Sequence, residues 1–259
     1  MSDERTETLS HEPGTAVGAM ATDPGMRTPA PDGGGVATEQ PEAAVPATPE
    51  PAKVTTILLV RHGQTPTTGK VLPGRAAGLH LAETGRAQAA SVAARLEGID
   101  VAALYCSPLE RTVETAAPIA EAFGLEAIHE PGLLECDFGE WTGAELTDLY
   151  KLPEWSAVQR APSTFRFPGG ESFPEMQLRI VSAIERIRTA HEGSTVVCVS
   201  HADPIKAAVA YALGTHLDLF QRIVVSPCSV SAIAFSAGQA PVVLTVNSAS
   251  SSLSELKPS

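Results

Sequence analysis

Leu58-Leu59-Val60-Arg61-His62-Gly63 is an apolar run that ends abruptly in an arginine, a histidine and a glycine. A continuous rather than alternating apolar run is typical of a strand that is buried on both faces of a parallel sheet. Open α/β sheets bind their ligands at the carboxyl ends of such strands. There a neutral imidazole can act as a nucleophile, and a guanidinium can bind phosphate oxygens with paired donors. The stretch therefore predicts a buried strand and suggests phosphoryl chemistry at its end.

Apolar runs and helical patterns alternate along the rest of the chain. The strands are predicted at residues 55–60, 101–106, 126–129, 195–199, 223–225, 230–235 and 242–246. The helices are predicted at 83–96 and 109–123, after the capping box Ser172–Glu175, and after the N-cap Asp203 up to a stop at Gly214. This alternation predicts an α/β fold with a mostly parallel central sheet and helices on both faces.

The two ends of the chain differ from its middle. Residues 1–53 are rich in Pro, Ala, Gly, Thr and Glu, contain no aromatic residue, and hold nine acidic but only three basic side chains. Such a segment buries too little apolar surface to offset the entropy cost of ordering it. We therefore expect a disordered acidic tail over 1–53, one domain over 54–248 and a flexible C-terminal tail over 249–259.

The composition of the 259-residue chain argues against several classes of protein. The net charge is −12 without any basic run, which argues against nucleic-acid binding. The sequence shows neither an apolar stretch long enough to span a membrane nor the pattern of a signal peptide, so a cytoplasmic protein is expected. The four cysteines form no Cys-x-x-Cys pair, so neither a structural zinc nor a disulfide framework is predicted.

Chemically reactive side chains stand where predicted strands end or helices begin. Taken alone, each has an ordinary interpretation as a turn residue, a hydrogen-bonded histidine or a solvated charge. Together, two histidines, two arginines and one acid at one sheet edge would supply the nucleophile, cations and proton donor of phosphoryl transfer. The segments that hold them are Arg61–Thr65, Ser107–Thr112, Leu134–Trp141 and Ser200–Asp203.

These four segments, in this order, resemble the histidine phosphatase superfamily, also called phosphoglycerate mutase-like, over roughly residues 54–247. The resemblance implies that His62 is the nucleophile that becomes phosphorylated. It also implies that Glu135, in the pattern Glu-x-x-x-Gly-x-Trp, is the general acid. The phosphate pocket would then be formed by Arg61, Arg111 and His201.

The proposed roles set requirements on protonation. His62 must be neutral on its attacking nitrogen, so its other nitrogen should donate to a fixed acceptor. Two nearby guanidiniums would favour that neutral form, whereas partial burial and a bound phosphate would favour a protonated Glu135. No metal or other cofactor is expected. A metal site built from His62 and His201 is disfavoured by the flanking arginines.

Further substrate contacts are expected from Thr65, Thr68 and Arg75. Thr68 departs from the family pattern, because members commonly carry an asparagine six residues after the nucleophile. A threonine can still donate a hydrogen bond, although with a shorter reach.

Substrate identity is expected to reside in residues 70–80 and 141–170. Arg160 and Arg166, together with Arg75, could meet further anionic groups. The aromatic side chains of the second segment either form an apolar wall for the substrate or pack this lid onto the sheet; they are Trp155, Phe165 and Phe167.

Three functions fit the pattern, and a metal-independent phosphatase that acts on a small phosphate ester is favoured. A phosphoglycerate mutase is the alternative, but mutases of this family share a longer insertion between the acid and the second histidine. Here Glu135 and His201 are only 66 positions apart. A phospho-ligand binding module without turnover has support from Thr68 alone. The segment 218–222 resembles actinobacterial members, and a homodimer is compatible with the sequence.

Overall fold

The computed structural model describes residues 53–249 of the chain. The predicted tails over 1–53 and 249–259 therefore lie outside the described residues, except for Lys53 and Ala249, which are the two ends of the described range. Within the described range, no helix is both long enough and apolar enough to cross a membrane.

Six strands and six α-helices make up this part of the chain, and four short 3₁₀ turns lie between them. The strands are β1 Val54–Arg61, β2 Val101–Cys106, β3 Ala127–His129, β4 Thr195–Ser200, β5 Val230–Ser236 and β6 Val242–Ser248. The helices are α1 Glu83–Arg95, α2 Glu110–Phe123, α3 Leu146–Leu149, α4 Trp155–Arg160, α5 Phe173–Ala190 and α6 Ala202–Ala212.

The strands form one sheet in the order β3-β2-β4-β1-β5-β6. The pairs β2–β3, β2–β4 and β1–β4 are parallel, whereas β1–β5 and β5–β6 are antiparallel. The prediction of a mostly parallel central sheet is confirmed. Because β2, β4 and β1 are parallel neighbours, their carboxyl ends meet at the same edge.

The continuous apolar run of β1 is explained by helices on both faces of the sheet. Ile57 and Leu59 pack in one core cluster with residues of α5 and α6. Leu58 and Val60 pack in a second cluster with residues of α1 and α2. Each such side chain gains about 1.5–3 kcal/mol from burial, which fixes β1 in the middle of the sheet.

Several local signals are confirmed at helix ends. Ser172 and Glu175 form the capping box of α5, and Gly124 ends α2 in the left-handed conformation. The predicted N-cap of α6, Asp203, is wrong. The N-cap is His201, two residues earlier, because the backbone N–H of Ile205 bonds to the carbonyl of His201. Pro204 therefore lies inside the first turn, where a missing N–H costs no helical hydrogen bond.

The predicted strand 223–225 is wrong. This segment follows the 3₁₀ turn Leu217–Arg222 and pairs with no strand. Its backbone is engaged by a side chain instead, since the carbonyl of Val225 accepts a hydrogen bond of 2.7 Å from Arg61 Nη1. An apolar run identifies burial, but it does not show which groups satisfy the backbone.

Candidate active site

His62 is the first residue after β1, and its ring is held in one orientation. Its Nδ1 lies 2.8 Å from the carbonyl oxygen of Gly63. Because a carbonyl can only accept, Nδ1 carries the proton and the Nε2 lone pair is left available. Gly63 makes this turn possible, since a Cβ there would lie 2.5 Å from the carbonyl oxygen of Gly85 in α1.

The surroundings of His62 keep its ring uncharged. Burial is the largest cause that holds its pKa well below the usual value, and the charges of Arg61 and Arg111 lower it further. The hydrogen bond to Gly63 opposes this shift but does not cancel it. At neutral pH the imidazole is therefore uncharged, as the expected role of a nucleophile requires.

Arg61 and Arg111 are held by backbone carbonyls, so that part of each guanidinium remains unpaired. Arg111, in the first turn of α2, is fully buried and donates from Nη2 to the carbonyl of Gly74 at 2.7 Å. Its Nε and Nη1, and the Nε of Arg61, have no hydrogen-bond partner among the described residues. Buried cationic donors without partners are costly, and an anion would satisfy them.

His201 stands at the junction of β4 and α6, beside His62. The two ring centroids are 5.2 Å apart at an interplanar angle of 61°. Its Nε2 lies 2.8 Å from the hydroxyl of Ser107, which follows β2, and its buried Nδ1 has no partner in residues 53–249. The ends of three adjacent parallel strands thus bring Ser107, His201 and His62 together.

Glu135 is the buried acid of the site. One of its carboxylate oxygens accepts a hydrogen bond of 2.9 Å from the backbone N–H of Cys136. Burial, followed by the charge of Asp203, raises the pKa of Glu135 to about 7, although Arg111 and Arg61 act in the opposite direction. A large fraction of the carboxyl groups is therefore protonated near neutral pH, as a general acid requires.

Asp203 was not singled out from the sequence as a site residue. Its carboxylate lines the same cavity as Glu135, and its charge is the second cause of the raised pKa of Glu135. It also forms an ion pair of 3.4 Å with Lys206 one turn further along α6. The signal in the sequence was its position two residues after His201, in the same strand-to-helix junction.

Arg179 of α5 fixes the loop that carries Glu135. Its guanidinium donates to the carbonyls of Gly132, Leu134 and Glu135 at 2.9, 2.8 and 3.2 Å. It is also paired with Glu171 at 2.9 Å. Three backbone carbonyls of this loop are thus bound by one guanidinium, which holds the backbone of Glu135 in place. Sequence reasoning missed this residue.

Arg75 has a different place from the one expected. Its Nε donates to the carbonyl of Glu135 at 2.9 Å, and its Nη2 lies 2.8 Å from a carboxylate oxygen of Glu171. It is not among the described residues that line the cavity next to His62. The charge of Arg75 is thus paired and its side chain supports the backbone of Glu135, while a contact between Arg75 and the substrate stays a prediction.

The two other lid arginines are also placed outside the cavity. Arg166 is paired with Glu175 and donates to the carbonyl of Gly170. Arg160 is exposed at the end of α4 and is not among the residues that line the cavity next to His62. Neither residue is positioned to meet a substrate in this structure.

Thr65 and Thr68 shape the loop that follows His62. The hydroxyl of Thr68 accepts a hydrogen bond of 2.8 Å from the backbone N–H of Thr65, and the two hydroxyl oxygens are 3.0 Å apart. Both residues line the cavity. The threonine at the usual asparagine position thus stabilises its own loop at the edge of the cavity.

A cavity of about 390 Å³ lies over these residues. Arg61, His62 and Glu135 line it, whereas Arg111 and His201 are fully buried next to it. Among residues 53–249, no group of three or more His, Cys, Asp or Glu side chains is arranged to hold a metal ion. The charged side chains at this cavity are the guanidiniums of Arg61 and Arg111, the carboxyl groups of Glu135 and Asp203, and the ammonium of Lys206.

The role of Arg179 predicts a selective defect. Replacing it with methionine should lower kcat/KM for an alkyl phosphate by about tenfold to a hundredfold, because small displacements of a catalytic group have effects of this size. The loss for p-nitrophenyl phosphate should be smaller, since its leaving group needs little help from an acid.

Arg186→Met is the matched control for Arg179, because Arg186 lies on the same helix and pairs with Glu130 at 3.0 Å. It should leave both substrates nearly unaffected. An equal loss on both substrates in the Arg179 variant would mean that Arg179 only stabilises the fold.

Comparison with known proteins identifies relatives over most of the described chain. The family model described as "Histidine phosphatase superfamily (branch 1)" matches residues 57–248. Bifunctional protein Rv2228c of Mycobacterium tuberculosis is 35% identical over 203 residues, which are 74% of this chain and 54% of that protein. The chain thus spans about half the length of this curated relative.

Two further relatives match over most of their length. Phosphoserine phosphatase 1 of Hydrogenobacter thermophilus is 36% identical over 169 residues, which are 63% of this chain and 79% of that protein. Among solved structures, Bacillus stearothermophilus YhfR aligns with a TM-score of 0.70 and 28% identity, covering 76% of this chain and 98% of its own.

Proposed function

This chain belongs to the histidine phosphatase superfamily (branch 1), and we propose that it hydrolyses small phosphate monoesters through a phosphohistidine intermediate at His62. One observation carries the proposal: a neutral imidazole with a free Nε2 stands next to buried guanidinium donors that have no partner among the described residues. That arrangement suits attack on an anionic phosphorus centre.

In the first step, the Nε2 lone pair of His62 attacks phosphorus, and the bond between phosphorus and the alcohol oxygen breaks. Glu135 gives its proton to that leaving oxygen, so that a neutral alcohol departs. Arg61 and Arg111 bind the phosphoryl oxygens with the donors that are unpaired in the free enzyme.

His201 assists through its own unpaired nitrogen. When the hydroxyl of Ser107 donates to Nε2 of His201, the proton of the neutral ring is on Nδ1. Nδ1 then donates a hydrogen bond to a phosphoryl oxygen. Burial and the charge of Arg111 hold the pKa of His201 well below its usual value, so this donor is neutral.

In the second step, Glu135 is a carboxylate and takes a proton from water. The water oxygen attacks phosphorus, the bond to Nε2 of His62 breaks, and inorganic phosphate leaves. Glu135 is protonated again and ready for the next substrate. We propose this cycle without a metal ion, because the two guanidiniums supply the charge that the transferred phosphoryl group requires.

A mutase is the second candidate, and the lid argues against it. A mutase must keep its product bound and exclude water while the phosphoryl group returns from the histidine. Between Glu135 and the start of α5 at Phe173, the chain forms two short helices, α3 and α4, and two 3₁₀ turns. Because this lid is short, it favours transfer of the phosphoryl group to water over its return to a bound product.

The test compares release of inorganic phosphate with isomerisation, using the full-length chain. With 3-phosphoglycerate and its bisphosphate primer, and with simple phosphate esters, we expect phosphate release to exceed formation of 2-phosphoglycerate. Faster isomerisation would identify a mutase. Binding of the esters without either reaction would identify a binding module and contradict the proposal.

A further inference from the structure

A second cavity of about 530 Å³ adjoins the one over His62. We call it the side cavity, and the one over His62 the catalytic cavity. The two are neighbours, because they share the lining residues Leu72, Phe138, Leu146, Asp203 and Lys206. Its volume lies in the range of small-molecule sites. A phosphate ester held at His62 therefore has a space next to it for its alcohol part.

Aromatic rings form much of the side cavity. Phe167 and Phe173 are buried in the core and contribute to its lining, and Tyr150 and Trp155 lie at its more exposed part. The ring of Trp155 is fixed by its neighbours: it stacks on Trp141 at 6.3 Å and 25° and contacts Tyr150 at 5.0 Å. Because Phe167 and Phe173 are almost fully buried, Trp155 and Tyr150 are the two of these rings that offer apolar surface to a flat group.

The three lid aromatics differ in their positions relative to the side cavity. Trp155 and Phe167 line the side cavity, as a substrate wall would. Phe165 does not line it and instead packs against Trp141 at 5.5 Å.

Charge in the side cavity is already paired. Lys206 is the one cationic residue of its lining within the described chain. Its ammonium lies 3.4 Å from a carboxylate oxygen of Asp203 and 3.0 Å from the amide oxygen of Gln221. A substrate carboxylate would have to compete with Asp203 for this lysine and would meet the negative charge of Asp203 itself.

We infer that the side cavity receives the alcohol part of the substrate, and that this part carries an uncharged aromatic ring rather than a carboxylate. This inference rests on the proposed phosphatase function. The favoured class is a phosphate monoester of a primary alcohol that bears an aromatic or heteroaromatic ring. Phosphorylated hydroxy acids and amino acids belong to the disfavoured class.

The test uses three esters of unactivated primary alcohols, so that bond cleavage is chemically similar: ethyl phosphate, 2-phenylethyl phosphate and phosphoserine. We expect kcat/KM for 2-phenylethyl phosphate to exceed that for ethyl phosphate by about tenfold or more, from burial of the ring. Phosphoserine should be the poorest of the three. Hydrolysis of phosphoserine at or above the rate of the phenylethyl ester would overturn the inference and leave the phosphatase function intact.

Two variants locate the ring. Trp155→Ala and Tyr150→Ala should each lower the ratio of kcat/KM between the phenylethyl and ethyl esters by about threefold to tenfold. Tyr211→Ala is the matched control, because Tyr150 and Tyr211 are both 56% exposed and Tyr211 lines neither of the two cavities. An unchanged ratio in both lid variants would overturn the placement of the ring. Failure to hydrolyse any ester would instead contradict the proposed function.

Discussion

Replacing His62 with alanine is expected to lower kcat for phosphate-ester hydrolysis by about ten-thousandfold or more. The reason is that the proposed route has no other nucleophile: loss of a covalent nucleophile removes a whole pathway rather than one stabilising contact. His201 cannot replace it, since Nε2 of His201 is already occupied by Ser107 at 2.8 Å. The measurement is steady-state phosphate release from an alkyl ester.

The matched control for His62 is His129→Ala. His129 ends β3 at the same edge of the sheet but is exposed. It should retain full activity. Circular dichroism should show that both variants are folded. A His62 variant that keeps a tenth of the wild-type rate would exclude His62 as the obligatory nucleophile.

Glu135→Gln is expected to lower kcat/KM for an alkyl phosphate by about a hundredfold to ten-thousandfold, because the leaving oxygen loses its proton donor. The wild-type kcat/KM should fall as the pH rises through about 7, where the free enzyme loses the proton of Glu135. The glutamine variant should lack this alkaline limb. A limb that persists unchanged in the variant would assign the acid to another group.

The same variant should be more stable than the wild type at alkaline pH. The pKa of Glu135 is about 7 in the folded chain and near 4.5 when unfolded, so the folded state binds the extra proton between these values. The free energy of unfolding of the wild type therefore decreases as the pH rises from about 4.5 to 7. Glutamine mimics the protonated form and should raise the free energy of unfolding by up to about 3 kcal/mol at pH 8.

Urea unfolding at pH 5 and pH 8 measures this difference. Near pH 5 the two proteins should differ much less, because Glu135 is largely protonated in the fold there. Glu140→Gln, an exposed carboxylate of the same loop, should show no such dependence. A Glu135 variant that is less stable at pH 8 would indicate that the carboxylate supports the fold through its arginine neighbours.

The sheet and the reacting residues were accessible to sequence reasoning because their signals are local. The unbroken apolar run of β1 reflects burial on both faces, which core residues such as Leu58 and Leu59 confirm. Parallel neighbours then place the residues that follow each strand at one edge. That rule is sufficient to predict that His62 and His201 lie close together.

The supporting contacts were not accessible because they join distant segments. Arg179 reaches Glu135 across 44 positions, and Arg75 reaches it across 60. An isolated arginine in the sequence does not reveal whether it meets a substrate or a backbone carbonyl. The wrongly predicted strand at 223–225 has the same cause. The carbonyl of Val225 accepts a hydrogen bond from Arg61, which is 164 positions away in the sequence.

The proposed phosphohistidine is tested most directly by trapping it. The full chain is mixed with excess ester, quenched within a few turnovers under alkaline conditions that preserve phosphohistidine, digested and mapped by mass spectrometry. We predict one added phosphoryl group on His62, formed as fast as the alcohol is released and absent from His62→Ala. Turnover at the full rate without a modified His62, or with the phosphoryl group on His201, would contradict the proposal.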